Sequence, residues 1–143
     1  MKMRILYATS NKKVINYAIA LGEAQDDARA KADAIPPAYS CDRERLVVLV
    51  VSAGAKLEDK VRLFAGELTA ARTANVAFVF ESKTKTLTPV MQQLIDIVSA
   101  AGANTITDNI YFVDGGSLFN KKLSIEERRD IVEWCDALKE SIK

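Results

Sequence analysis

Histidine is absent from all 143 residues, and its absence excludes the Ser-His and Cys-His schemes of nucleophilic catalysis. Only two cysteines occur, Cys41 and Cys135, which are too few and too scattered for a zinc site. We interpret them as two free thiols in a reducing cytoplasm rather than as a disulfide. Long apolar runs are also missing. The longest, residues 46–51, is too short to cross a membrane, and the first, residues 5–8, is too short for a signal peptide. We therefore expect a cytoplasmic protein that has no membrane partner.

Charge of one sign is not in excess either. Twenty basic residues face 19 acidic ones, for a net charge of +1. A nucleic-acid-binding protein usually carries a basic excess, and many small electron carriers carry an acidic surface. We expect no nucleic-acid partner, and the oligomeric state stays open. A composition of 49% apolar and 27% charged residues predicts one globular domain over residues 1–143.

Apolar strands alternate with amphipathic helices along the whole chain. Unbroken apolar runs predict buried strands, whereas the small and charged residues of the second segment predict a weak strand at a sheet edge. Helices are predicted where apolar residues recur every three to four positions. Gly22 is expected to end the first helix, and Gly102 is expected to end the third. Thr88-Pro89 is expected to begin the third helix, and a capping box at Ser124 and Glu127 is expected to begin the last. The predicted strands cover residues 3–8, 28–34, 46–52, 76–80 and 105–113, and the first two helices cover 14–21 and 56–71.

Such alternation predicts an open parallel sheet with helices on both faces. Ligands of these sheets bind beyond the carboxyl ends of the strands, where the winding direction reverses. The loops at that end are residues 8–13, 53–56, 81–87 and 114–123. They lack the acidic pair of a phospho-receiver domain, the cysteine of a small phosphatase and the three glycines of a dinucleotide fingerprint.

Four segments carry a resemblance to a known family. Residues 4–9 look like a first strand that runs into a phosphate loop, and residues 51–56 look like a third strand followed by its helix. Residues 94–116 contain a helix, a Gly-Ala turn and a last strand that ends in a double glycine; residues 123–139, with Trp134, form a closing helix. In this order and spacing they resemble the flavodoxin family over nearly the whole chain. The resemblance implies a single doubly wound, five-stranded parallel sheet in the order 2-1-3-4-5, with FMN as cofactor and a redox partner protein.

The first loop is the candidate site for the FMN phosphate. The family pattern S/T-x-T-G-N-T aligns with the six residues 9–14. Asn11 replaces the second hydroxyl residue of the pattern and Lys12 replaces its glycine. Lys13 replaces the asparagine of the pattern, and Val14 replaces its last threonine. A helix N-terminus is a natural anion site, and the lysines would add positive charge. The alternative is that Ser10 or Asn11 only caps the helix while the lysines are solvated. The six candidate residues are Thr9, Ser10, Asn11, Lys12, Lys13 and Val14.

The flavin ring is expected against the loops after the third and fourth strands, where Ser52, Ala53, Gly54 and Ser82 are the candidate contacts. Neither loop contains an aromatic residue, and Phe78 and Phe80 are better explained as core. Two functions therefore stay open. The first is an FMN-binding protein of electron transfer that binds FMN more weakly than a typical flavodoxin. The second is a flavodoxin-like domain that has lost FMN and binds another anionic ligand or a protein partner.

Overall fold

The structure, a computed structural model, describes residues 1–142. Its parallel sheet has the order β2-β1-β3-β4-β5, and β6 also pairs with β4. Because β5 and β6 occupy the same position beside β4, the sheet has the predicted order 2-1-3-4-5, and the predicted fold class is confirmed. The strands are β1 (Met3–Ala8), β2 (Asp33–Ala34), β3 (Glu44–Val51), β4 (Thr73–Glu81), β5 (Asn104–Thr105) and β6 (Tyr111–Val113).

Four α-helices cover the two faces of the sheet. They are α1 (Lys12–Glu23), α2 (Asp59–Ala65), α3 (Pro89–Ala101) and α4 (Ile125–Ser141). Successive strand residues point to opposite faces, so Leu49 packs with α2 and α3, whereas Val48 packs with α1 and α4. Among residues 1–142, no helix combines the length and the apolar character that crossing a membrane requires.

The helix starts predicted at Thr88 and Ser124 are confirmed. Thr88 Oγ1 accepts a hydrogen bond from the backbone N–H of Met91 at 3.3 Å. Ser124 Oγ accepts from the N–H of Glu127 at 3.0 Å, and Glu127 Oε1 accepts from the N–H of Ser124 at 2.9 Å. These reciprocal bonds satisfy N–H groups that the first helical turn leaves without partners.

The predicted edge strand over residues 28–34 is wrong in its first half. Residues Ala28–Ala30 form a 3-10 helix, which Asp27 starts by accepting a hydrogen bond from the N–H of Arg29. Gly22, expected to end α1, lies inside it instead. A Cβ at Gly22 would come within 2.8 Å of the carbonyl oxygen of Ala30. This glycine therefore lets the following segment pack directly on the helix.

Two further elements are shorter than predicted. Helix α2 covers only Asp59–Ala65, because the chain turns after it to enter β4 at Thr73, although Leu57 and Leu68 outside the helix stay buried. The last strand is split, because the polar residues 107–109 leave the sheet between β5 and β6 and are exposed. Trp134 Nε1 holds this excursion with a hydrogen bond of 2.9 Å to the carbonyl of Asn109.

One expected core residue of the last helix is on the surface. The helical pattern of apolar residues in the last helix predicts that Ile125 points inward together with Ile131 and Trp134, but 83% of Ile125 is exposed. As the first residue of α4 it precedes the turns that face the sheet, and its buried partners begin with Ile131.

Candidate functional site

A chain of polar contacts joins the first loop to the ends of β3 and β4. The N–H of Asn11 donates to Thr9 Oγ1 at 3.1 Å, and Thr9 Oγ1 lies 2.6 Å from Ser52 Oγ. Ser52 in turn donates its proton to Glu81 Oε1. Because a carboxylate oxygen only accepts, the Thr9 hydroxyl must donate to Ser52. Thr9 and Ser52, both predicted as site residues, are therefore brought together, and each hydroxyl is committed to a neighbour inside the protein.

Glu81 is a central residue of this site that the sequence analysis missed. It is the last residue of β4, and its carboxylate lies next to the first loop. A Cβ at Gly115 would lie 2.3 Å from Glu81 Oε2 and 2.5 Å from Asn11 Nδ2, so both groups approach the same point. Gly115 thus leaves the space that the carboxylate occupies beside Asn11.

Asn11 is the N-cap of α1, as the capping alternative expects. Its Oδ1 accepts hydrogen bonds from the N–H groups of Lys13 at 2.9 Å and Val14 at 3.3 Å. The N–H groups of Ser10 and Lys12 find no acceptor among residues 1–142, and the Ser10 hydroxyl and the Lys12 ammonium make no contact with a protein partner there. Both residues are exposed, so the start of α1 presents four unpartnered donors to solvent.

Lys13 lies under the loop rather than in it. Its side chain is 9% exposed, and Nζ forms ion pairs with Glu127 Oε2 at 2.7 Å and Asp114 Oδ1 at 3.1 Å. Tyr17 donates a further hydrogen bond to Glu127 at 2.9 Å. These four residues, called here the buried ion-pair cluster after the buried Lys13 at its centre, tie α1 to α4 and to the loop after β6. The Lys13 ammonium is therefore paired with two carboxylates.

The pKa values within the cluster record this pairing. Burial acts to lower the pKa of Lys13, but its hydrogen bonds to Glu127 and Asp114 outweigh burial and raise it. Burial acts to raise the pKa of Glu127, but hydrogen bonds from Lys13, from the Ser124 backbone and from Tyr17 lower it to about 2. Burial is the largest cause that raises the pKa of Tyr17, and the hydrogen bond to Glu127 is the second. The pairing therefore keeps Lys13 and Glu127 charged at neutral pH.

The remaining predicted site residues divide between core, turn and open loop. The Val14 side chain is fully buried in the core, and Ser82 Oγ accepts from the N–H of Thr86 at 3.2 Å, which shapes the turn after β4. Ala53 packs partly against the core. Gly54 is open, because a Cβ added there would meet no atom within 4 Å.

Within residues 1–142, the loops that follow β3 and β4 carry no aromatic side chain. Phe78 and Phe80 are fully buried, with ring centroids 5.7 Å apart. Phe119, on the loop after β6, is 95% exposed. Tyr39 lies at the opposite end of the sheet, beside Lys2 and Arg4.

No family model and no curated protein matches this chain. Among solved structures, the flavodoxin of Streptococcus pneumonia TIGR4 is similar, with a TM-score of 0.61 and 10% sequence identity. The match covers 97% of this chain and 98% of that one. The fold is flavodoxin-like. The likeness extends over nearly the whole of both chains and shows the fold alone.

Several residues of the candidate site were not predicted as site residues from the sequence. Glu127 was predicted only as a capping-box residue, Asp114 only as the first residue of the loop 114–123, and Gly115 only as part of the double glycine that ends the last strand. A usable signal did exist in α1: Lys13 and Tyr17 are polar residues four positions apart, next to the buried Val14 and Ala18. Polar residues on a buried helix face require partners.

Proposed function

We propose that this flavodoxin-like protein binds FMN at the carboxyl end of its sheet and transfers electrons to a partner protein. The observation that carries the proposal is the set of four unpartnered donors on Ser10 and Lys12. They lie at the positive end of a 12-residue helix whose first turn contains no acidic residue. The position is between β1 and β3, where the winding direction of the sheet reverses.

The residues present fit the two ends of FMN unequally. Ser10 and Lys12 supply donors for the phosphate, and the open space at Gly54 leaves room for the backbone to approach the ring. When bound, FMN supplies the electron-transfer chemistry, and the protein supplies binding and orientation. Leu118 and Phe119 are 83% and 95% exposed on the loop after β6, which supports docking of a redox partner at the same end.

Five features predict affinity below that of a typical flavodoxin. The Thr9 hydroxyl donates to Ser52, Asn11 is used as a cap, and Lys13 is held by two carboxylates. The Glu81 carboxylate beside the loop repels a phosphate. In addition, each missing aromatic partner of the ring removes about 0.5 to 1.5 kcal/mol of stacking besides its buried area.

The test is a titration of the purified protein with FMN, followed by quenching of flavin fluorescence at low and moderate salt. We expect weak binding that weakens further with salt, because an exposed phosphate site is screened. S10A and K12A should each lower affinity, by about threefold to tenfold, whereas E81Q should raise it by a similar factor because it removes the repulsive charge. E133Q is the matched control, since Glu133 is exposed on α4 and the variant changes the net charge equally.

Titrations with riboflavin and with inorganic phosphate test the ring end and the phosphate end of the site separately. Riboflavin should bind more weakly than FMN, because it has no phosphate to reach Ser10 and Lys12. Nanomolar FMN binding that does not respond to salt would show that both loops have been misread. Binding of phosphate but not of FMN would assign an anion site without a flavin, and E81Q leaving affinity unchanged would remove Glu81 from the site.

A further inference from the structure

A second cavity lies at the opposite end of the sheet, at the amino ends of β1 and β3. It has a volume of about 580 Å³, and its lining includes Lys2, Arg4, Tyr39 and Glu44. The cavity exists because the crossover from β2 to β3, residues 35–43, is irregular chain rather than a helix. This part of the sheet therefore lacks the cover that a crossover helix gives elsewhere.

The cavity is lined by two buried charges of opposite sign that do not neutralise each other. Glu44 is 5% exposed and Arg4 is 8% exposed. Glu44 Oε2 is buried and accepts no hydrogen bond from residues 1–142. Over the same residues Arg4 donates one side-chain hydrogen bond, from Nη1 to the carbonyl of Tyr39 at 3.1 Å, and no ion pair joins it to Glu44.

A buried carboxylate without a hydrogen-bond donor is costly, and proteins keep such groups where a bound molecule supplies the donor. Of the other basic residues of the lining, Lys2 Nζ donates to the carbonyl of Asp42, the Arg29 guanidinium is held by both oxygens of Asp27, and Lys31 is exposed. Glu44 and Arg4 are thus the buried charged groups of the lining whose hydrogen-bonding capacity a ligand would complete.

We propose that this cavity binds a small zwitterion of the α-amino-acid class, with its ammonium group on Glu44 and its carboxylate on Arg4. A simple anion would satisfy Arg4 but would bring negative charge to Glu44, and a simple cation would meet the reverse problem at Arg4. A nucleotide could place its phosphate on the basic residues of the lining, but it would also bring negative charge beside Asp33, Asp42 and Glu44, which line the same cavity. One molecule that carries both charges completes both groups. The proposal is independent of FMN, because no residue of the two sites is shared.

The experiment measures binding of the twenty protein amino acids one by one, by the shift of the thermal unfolding midpoint and then by calorimetry. At least one should bind. Its analogue without the carboxylate and its analogue without the ammonium should each bind at least about tenfold more weakly. Methylammonium, acetate and GMP, added alone, should give no shift. This comparison uses only the wild-type protein, so it does not depend on whether a variant folds.

Variants that remove one charge then test which residue binds each charged group of the amino acid. E44Q and R4Q should each weaken the amino acid by at least about tenfold, while the exposed-site control E133Q should not. E44Q should also raise the urea midpoint of the ligand-free protein, because it replaces an unpartnered buried charge with a neutral group. The proposal is overturned if no amino acid binds at about 10 mM, a concentration that would populate even a millimolar site. It is also overturned if a one-charge analogue or GMP binds as well, if E44Q leaves binding unchanged, or if E44Q lowers the urea midpoint.

Discussion

Replacing Glu127 by glutamine tests the buried ion-pair cluster. Glutamine keeps the size of the side chain, and its amide oxygen can still accept from the N–H of Ser124. Its NH2 group then replaces the oxygen that pairs with Lys13 at 2.7 Å and accepts from Tyr17 at 2.9 Å, so the variant removes the charge and these two contacts. The pairing lowers the pKa of Glu127 from 4.5 to about 2. At about 1.4 kcal/mol for each pKa unit, the shift corresponds to at most about 3 kcal/mol. Because 28% of the side chain is exposed, we expect E127Q to lower the free energy of unfolding at pH 7 by about 1 to 2 kcal/mol.

The pH dependence follows from the direction of the shift. A carboxylate whose pKa is lowered by folding contributes stability that is fully present above its unfolded pKa of 4.5 and is lost as pH falls toward 2. Urea unfolding of the wild type and of E127Q should therefore differ most at pH 7, and the difference should shrink between pH 4.5 and pH 2. In a K13M background E127Q should cost much less, since the partner charge is gone. A constant difference from pH 7 to pH 2, or an equal loss in the control E133Q, would refute this account of the cluster.

Two further outcomes are expected. G115A should lower the free energy of unfolding by about 1 to 2 kcal/mol in urea, because its Cβ would meet Glu81 and Asn11 and displace them, and an unchanged midpoint would contradict the close approach. Cys41 and Cys135 are both buried, and burial raises the pKa of each thiol to about 11. A thiol reagent at pH 7.5 should therefore label neither cysteine of the native protein during a reaction time that is long enough to label both in urea. Rapid labelling of the native protein would contradict their burial.

Buried strands and helix starts could be predicted because they depend on local patterns, whereas the sheet order followed from the resemblance to flavodoxins. The apolar run around Leu49 is too regular for anything except a buried strand, and Thr88-Pro89 and Ser124 mark helix starts by chemistry that acts within one turn. The length of α2 was overestimated because Leu68, buried in the following turn, continues the helical spacing without being helical. The edge strand failed for a related reason: the small residues near Ala30 pack against Gly22, a tertiary contact that no local pattern reveals.

The candidate site could be located from the sequence but not assembled from it. The loops that meet at the carboxyl ends were correctly chosen because topology alone places them there. The partners of each side chain depend on distances across the sheet. Lys13 and Glu127 are 114 residues apart and Ser52 and Glu81 are 29 apart, so neither pair shares a local motif. The sequence therefore could not distinguish a lysine that faces a phosphate from one that is held in an ion pair.

Backbone amide chemical shifts during an FMN titration test the central claim most directly. In a ¹⁵N-labelled sample, the signals of Ser10, Lys12 and Gly54 should move with FMN concentration, while those of Lys31 and Tyr39 at the opposite end should stay fixed. E81Q should reach the same end point at lower FMN concentration. Shifts confined to Lys31 and Tyr39, or no shift at Ser10 and Lys12 when FMN is saturating by fluorescence, would contradict an FMN site at the start of α1.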